Sequence, residues 1–170
     1  MPCAGGSANM AARPGAGRSV PECRERAMAG QITKGYKALL EEANAAIETL
    51  EVGEAVALHG DPGVVFVDIR DIRELEREGR VPGAVHAPRG MLEFWVDPES
   101  PYFKPVFGSG KRLVLYCASA WRSALAAAQL TRMGVPRVCH LEGGFRAWQQ
   151  AGRPTTSLRR HSEQRKGAAE

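Results

Sequence analysis

Residues 116–123 read YCASAWRS: a lone thiol, Cys117, is followed five positions later by a guanidinium, Arg122. A cysteine in water ionises near pH 8.5, so only about 3% is thiolate at pH 7. Lowering that midpoint by ~2 units requires ~2.7 kcal/mol of preference for the anion. A loop that wraps back onto a helix N-terminus supplies such a preference, because consecutive backbone N–H groups and the helix dipole converge on its centre. The intervening ASAW has small residues at three of its four positions, which suits a tight loop with inward amides. Arg122 contributes a permanent charge and a planar fork for an oxyanion. A thiolate in that setting attacks sulfur or phosphorus. The plain alternative is a small apolar residue at the rim of a core. That alternative fits Cys139, midway through RVCHL, better than Cys117.

A strand must deliver the thiol and a helix must receive the arginine, and the flanking residues read that way. RLVLYC (112–117) is a continuous apolar run of the kind buried on both faces of a parallel sheet. Residues 122–133 form a helix stopped by Gly134 and Pro136. The same grammar recurs along the chain. Tyr36, Leu39, Leu40, Ala43 and Ile47 fall at helical spacing over 34–47, and a short helix covers 52–59. After a turn at Pro62 and Gly63, VVFVDI (64–69) is another buried strand. Asp71 and Glu74 form a capping-box pair that opens a helix ending near Gly79. AVHAP (84–88) is a short strand, 91–95 a helical turn and 97–111 a Pro/Gly/Ser-rich loop. RVCHL (137–141) is the last strand and 143–152 the closing helix. Strands alternating with helices imply right-handed crossovers. The expected fold class is α/β, a three-layer α/β/α sandwich with a central, mostly parallel sheet of about five strands. The pattern places four of them.

Open α/β sheets bind ligands beyond the carboxyl ends of their strands, so the residues after each strand are the candidates. These are Asp68, Arg70 and Asp71; Arg89 and Gly90; Cys117 through Arg122; and Glu142, Gly143 and Gly144. Asp68 is expected to orient loops at the sheet edge, since a carboxylate too near the thiol would oppose its ionisation. Arg70 and Arg89 are candidate guides for an anionic substrate, with solvated or structural salt-bridging roles as the favoured alternative. Trp121 is a candidate wall of the pocket mouth, and Gly143, Gly144 and Trp148 are expected to serve packing.

The net charge of +4 does not point to nucleic acid, because residues 29–152 carry 14 basic and 15 acidic side chains and the positive excess lies in the tails. No apolar run approaches the ~20 residues of a membrane span, and the N-terminus lacks the apolar core of a secretory signal. Cys3, Cys23, Cys117 and Cys139 include no C-x-x-C pair, and His59, His86, His140 and His161 are scattered. Neither a zinc site nor a disulfide framework is indicated, and a reducing, cytoplasmic compartment is expected. Residues 1–28 are rich in Gly, Ala, Pro, Ser and Arg and are expected to be a disordered tail, with a transit-like leader or a true start at Met10 or Met28 as alternatives. Residues 29–51 are expected to form an N-terminal helical extension, 52–154 the domain, and 155–170 a basic disordered tail.

From about Val52 to Pro154 the chain resembles a single-domain rhodanese, a thiosulfate sulfurtransferase. The resemblance rests on VFVDIRD with Glu74, GRVPGAVHAP, LVLYCASAWRSA and LEGGFRAWQQAGRP, which occur in the family's order. It implies that Cys117 forms a persulfide, cradled by the backbone amides of Ala118, Ser119, Ala120, Trp121, Arg122 and Ser123. Arg122 would stabilise the bound sulfur and its anionic donor. The implied reaction is ping-pong, from a donor such as thiosulfate to cyanide, a cellular thiol or a protein sulfur acceptor, without metal or organic cofactor. Two positions depart from many relatives: Ala120 where they carry Gly, and Arg80 where they carry His. If position 120 needs φ > 0, alanine costs roughly 1 kcal/mol there. Two alternatives stay open, a non-catalytic binding or sulfur-carrier module and a cysteine phosphatase or arsenate reductase. Phosphatases of this chemistry set five residues between Cys and Arg, whereas the four here make a tighter ring, better matched to a single sulfur atom.

Overall fold

In the computed structural model, which describes residues 32–158, the apolar runs assemble into one sheet. Its strands are β1 (Glu48–Leu50), β2 (Val64–Asp68), β3 (Val85–His86), β4 (Arg112–Tyr116) and β5 (Val138–Leu141). They lie in the order β1-β5-β4-β2-β3, and every pairing is parallel. The helices are α1 (Tyr36–Ala46), α2 (Val52–Leu58), α3 (Ile72–Glu78), α4 (Leu92–Val96), α5 (Trp121–Arg132) and α6 (Gly144–Gln150). Short 3-10 segments at Arg89–Met91 and Pro105–Gly108 interrupt the connection from β3 to β4.

Successive side chains of a strand face opposite layers, and here both layers are apolar. Val65, Val67, Leu113, Leu115 and Val138 pack with Leu92 and Val96 of α4 and with Ala126, Ala127 and Leu130 of α5. On the other face Phe66, Val114, Tyr116, Cys139 and Leu141 meet Ala55 of α2 and Phe145 and Trp148 of α6. Two covered faces explain why the strands read as unbroken apolar runs, and the arrangement is the expected α/β/α sandwich.

The extension before residue 52 is more than a helix. Glu48–Leu50 pairs in parallel with Cys139–Leu141 and forms an edge of the sheet. Three residues, two of them exposed, carry no periodicity to read. Helix α1 packs on α5 through Ala43 against Ala124 and Ala128, where small side chains allow close approach. At the other end, the expected tail from 155 begins later: Thr156 and Arg80 exchange backbone hydrogen bonds of 3.0 and 2.9 Å. The Trp148 indole N–H also donates to the Pro154 carbonyl. The readings of 1–28 and of 159–170 lie outside the described residues.

This topology decides where a site can form. The chain leaves β2 toward β3 at one edge and leaves β4 toward β5 on the opposite side. Adjacent strands whose continuations diverge open a crevice at their carboxyl ends. Asp68 and Tyr116 are paired there in register, and the next residue after Tyr116 is Cys117.

Candidate active site

Cys117 leaves β4 buried, with 1% of its surface exposed. The chain then reverses through Ala120, at φ 73° and ψ −23°, directly into the first turn of α5. Among the described residues, no backbone carbonyl accepts a hydrogen bond from the N–H groups of residues 118–123. Six consecutive donors beside one thiol, at the positive end of a helix of 12 residues, suit an anion.

The loop rests on α6. The Cys117 carbonyl accepts from Phe145 N–H at 2.8 Å and the Ala118 carbonyl from Arg146 N–H at 3.2 Å. That approach needs Gly144, because a Cβ there would sit 2.5 Å from the Cys117 carbonyl oxygen. Gly144, expected to serve packing, does so directly beneath the loop.

Arg122 reaches across to α3, where its Nη1 and Nη2 donate to the two Glu74 carboxylate oxygens at 2.7 and 2.8 Å. The same carboxylate accepts from Asp71 N–H and closes the capping box of α3. The Arg122 guanidinium holds the Glu74 carboxyl down to about 2. In return, the bond to Glu74 pushes Arg122 above its ordinary value, with a smaller contribution from Cys117. In the sequence Glu74 is a helix cap and part of a motif; a partner 48 residues away leaves no trace in local spacing.

Three polar side chains lie behind the thiol. The Ser123 hydroxyl donates to the Ala120 carbonyl at 2.9 Å and lies 3.8 Å from Cys117 Sγ. It also lies 3.4 Å from His140 Nδ1, and His140 Nε2 is 3.0 Å from Thr49 Oγ1. Burial pushes the pKa of His140 down. Beside the loop, a cavity of about 410 Å³ is bounded by Asn44, Thr49, Ser119, Trp121, His140 and Glu142. His140 stood among scattered histidines in the sequence. The alternation of β5 was its one available signal: Cys139 and Leu141 face α6, so His140 faces the layer of α5.

Other expected residues fall elsewhere. Arg70 is fully buried, and its guanidinium is spent within the domain. Nε donates to Asp68 Oδ1 at 2.9 Å, Nη2 to Asp68 Oδ2 and to the Gly79 carbonyl at 2.7 Å each, and Nη1 to Glu78 at 3.1 Å. Its guanidinium carbon sits 4.0 Å from the centre of the Phe145 ring. A fully buried cation with every nitrogen engaged inside the domain is a structural tie, the salt-bridging alternative to a guide for substrate. Asp68 anchors that tie at the end of β2. Arg89 pairs with Glu93 at 2.6 Å on the connection after β3. Trp121 is 58% exposed, with its ring 5.6 Å from that of Tyr36. Cys139 is buried within β5, and burial pushes its thiol up. Among the described residues, no group of His, Cys, Asp and Glu is arranged to hold a metal ion, and no helix is long and apolar enough to cross a membrane.

Comparison with known proteins agrees with this geometry. The family of the Rhodanese-like domain matches residues 51–151. An uncharacterized protein of Synechocystis is 36% identical over 102 residues, covering 60% of this chain and 52% of that protein, so the chain spans about half of that relative's length. A sulfurtransferase of Allochromatium vinosum is 33% identical over 91 residues, covering 54% of this chain and 77% of the relative. Among solved structures, a protein of unknown function from Rhodopseudomonas palustris, described as a possible tyrosine phosphatase, superposes with a TM-score of 0.73 at 55% identity. That match covers 76% of this chain and 99% of the other. The polysulfide-sulfur transferase homodimer of Wolinella succinogenes gives a TM-score of 0.56 at 28% identity, covering 74% and 90%.

Proposed function

This chain belongs to the rhodanese-like domain family, and from that premise we propose that it is a sulfurtransferase that carries a sulfane sulfur as a persulfide on Cys117. In the first half-reaction the Cys117 thiolate attacks the outer sulfur of a donor such as thiosulfate. The donor's S–S bond breaks, sulfite leaves with the electron pair, and a persulfide remains. In the second, cyanide, a cellular thiolate or a protein thiol attacks the outer sulfur, and the Cys117 thiolate departs with the pair. The six backbone amides of residues 118–123 take the charge of the sulfur. Arg122, oriented by Glu74, faces the anionic donor. A cytoplasmic setting, where thiol acceptors abound, fits this role.

The observation that carries the reading is a run of six backbone amides, residues 118–123, that find no backbone acceptor among the described residues, in a loop with only four residues between Cys117 and Arg122. The description of the Rhodopseudomonas protein as a possible tyrosine phosphatase motivates a second reading, phosphate-ester hydrolysis on the same thiol. A tetrahedral phosphate needs a wider ring than a single sulfur atom, which favours sulfur transfer. The test is thiocyanate release from thiosulfate and cyanide, run beside hydrolysis of an aryl phosphate, for the wild type and Cys117→Ser. Thiocyanate release that disappears in the variant supports sulfur transfer. Phosphate release that depends on Cys117, without thiocyanate, would replace it with the second reading.

A further inference from the structure

Thr49, His140 and Ser123 form a line of side chains from β1 through β5 to the thiol. The separations are 3.0 Å from Thr49 Oγ1 to His140 Nε2, 3.4 Å from His140 Nδ1 to Ser123 Oγ, and 3.8 Å from Ser123 Oγ to Cys117 Sγ. Both Ser123 and His140 are buried, at 0% and 3% exposure. A neutral imidazole has one N–H and one lone pair, so the bond made by one nitrogen decides what the other can do.

We propose that His140, set in one tautomer by Thr49, is a positioning residue that aims the Ser123 hydroxyl at Cys117 and so stabilises the sulfur anion. In the proposed tautomer the Thr49 hydroxyl donates to Nε2 and the ring hydrogen lies on Nδ1. That N–H donates to the oxygen of Ser123, and the single hydroxyl hydrogen of Ser123 is then free to point forward. It has two acceptors, the Ala120 carbonyl at 2.9 Å and Cys117 Sγ at 3.8 Å. The Ala120 carbonyl already accepts from Ala124 N–H at 2.8 Å, so it is not left unsatisfied when the hydroxyl turns. A charged sulfur is the stronger acceptor and draws the hydrogen once the thiol ionises. Burial, which holds the pKa of His140 low, favours the neutral ring with its one donor and one acceptor. The effect on the attacking thiolate stands without the assigned reaction; the effect on the departing thiolate rests on the sulfurtransferase reading.

The test uses alkylation of Cys117 by iodoacetamide in the full chain, followed on the Cys117 peptide by mass, so no sulfur donor is involved and a failed sulfurtransferase reading would not disturb it. At pH 7, Ser123→Ala and His140→Leu are expected to slow alkylation about tenfold, the size of one hydrogen bond to a charged group at the low end. His140→Asn, whose amide N–H can replace the one on Nδ1, is expected to recover most of that loss. Thr49→Val, at an exposed position of an edge strand, should fold normally and slow the reaction roughly threefold, a fraction of the same bond. In alkaline buffer, where the thiol is ionised in every variant, the rates should converge. A Thr49→Val and a Ser123→Ala that both match the wild type at pH 7, or a deficit equal at every pH, overturn the proposal. If His140→Leu does not fold, those two variants decide it.

Discussion

Replacing Ala120 with glycine should make this protein more stable, against the usual direction of a mutation in an active-site loop. Ala120 is held at φ 73° and ψ −23°, a left-handed conformation that costs an L-residue ~1–2 kcal/mol. Glycine escapes that cost but gives the unfolded chain more freedom, which takes back ~0.5–1 kcal/mol. The net expectation for Ala120→Gly is a gain of about 0.5–1 kcal/mol. At roughly 2–4 °C per kcal/mol for a chain of this size, Tm rises by about 1–4 °C. The hydrogen bonds at this position, from Ser123 Oγ and Ala124 N–H, both end on the backbone carbonyl and survive the change. Ala120→Val is the opposing control, since a β-branched side chain tolerates positive φ worse than alanine; it should lose stability. The assay is urea unfolding of the wild type and both variants, with calorimetry for Tm. A glycine variant less stable than the wild type, or a valine variant equal to it, would refute the strain assigned to Ala120.

Gly144→Ala should do the reverse, because its Cβ would meet the Cys117 carbonyl oxygen at 2.5 Å from a residue at φ +62°; a stability loss of about 2 kcal/mol or more, with at least tenfold less thiocyanate release, is the expected result. The Glu74–Arg122 pair makes stability depend on acid. The folded-state pKa of Glu74 is lowered from 4.5 to about 2, so its contribution is complete above 4.5 and is lost as pH falls toward 2. Because Arg122 is 42% exposed, solvent screening limits that contribution to about 1–2 kcal/mol. Glu74→Gln should be weaker than the wild type by that amount at pH 7, and the gap should close on titration from 4.5 to 2 in denaturant melts. Arg70→Met should cost about 3–5 kcal/mol by leaving the Asp68 carboxylate buried and uncompensated. Adding Asp68→Asn should return part of it, as a double-mutant cycle of unfolding free energies would show.

The strand and helix that frame Cys117 were legible because each carries a continuous physical signal, an apolar run ending at Tyr116 and a helix-period run beyond Arg122. The turn between them was legible as a question: ASAW places alanine where glycine would be free, and the backbone does adopt positive φ there. β1 was not legible, since three residues at a sheet edge show no period and owe their conformation to Cys139–Leu141 beside them. Charge was the least readable quantity. Arg70 and Arg122 look alike in the sequence, each just beyond a strand. Arg70 is enclosed by Asp68, Glu78 and Phe145, whereas Arg122 stays partly open and is only oriented by Glu74. Which environment an arginine meets depends on residues that the fold brings from elsewhere in the chain, and the same is true of His140, whose neighbours Thr49 and Ser123 come from β1 and α5.

The most direct test of the assigned chemistry is the intact mass of the full chain after incubation with thiosulfate and removal of the excess. The account predicts a gain of one sulfur atom per chain, located on the Cys117 peptide, released by cyanide, absent from Cys117→Ser and retained in Cys139→Ala. An unchanged mass in folded wild-type protein, or a sulfur atom that stays in Cys117→Ser, would contradict it.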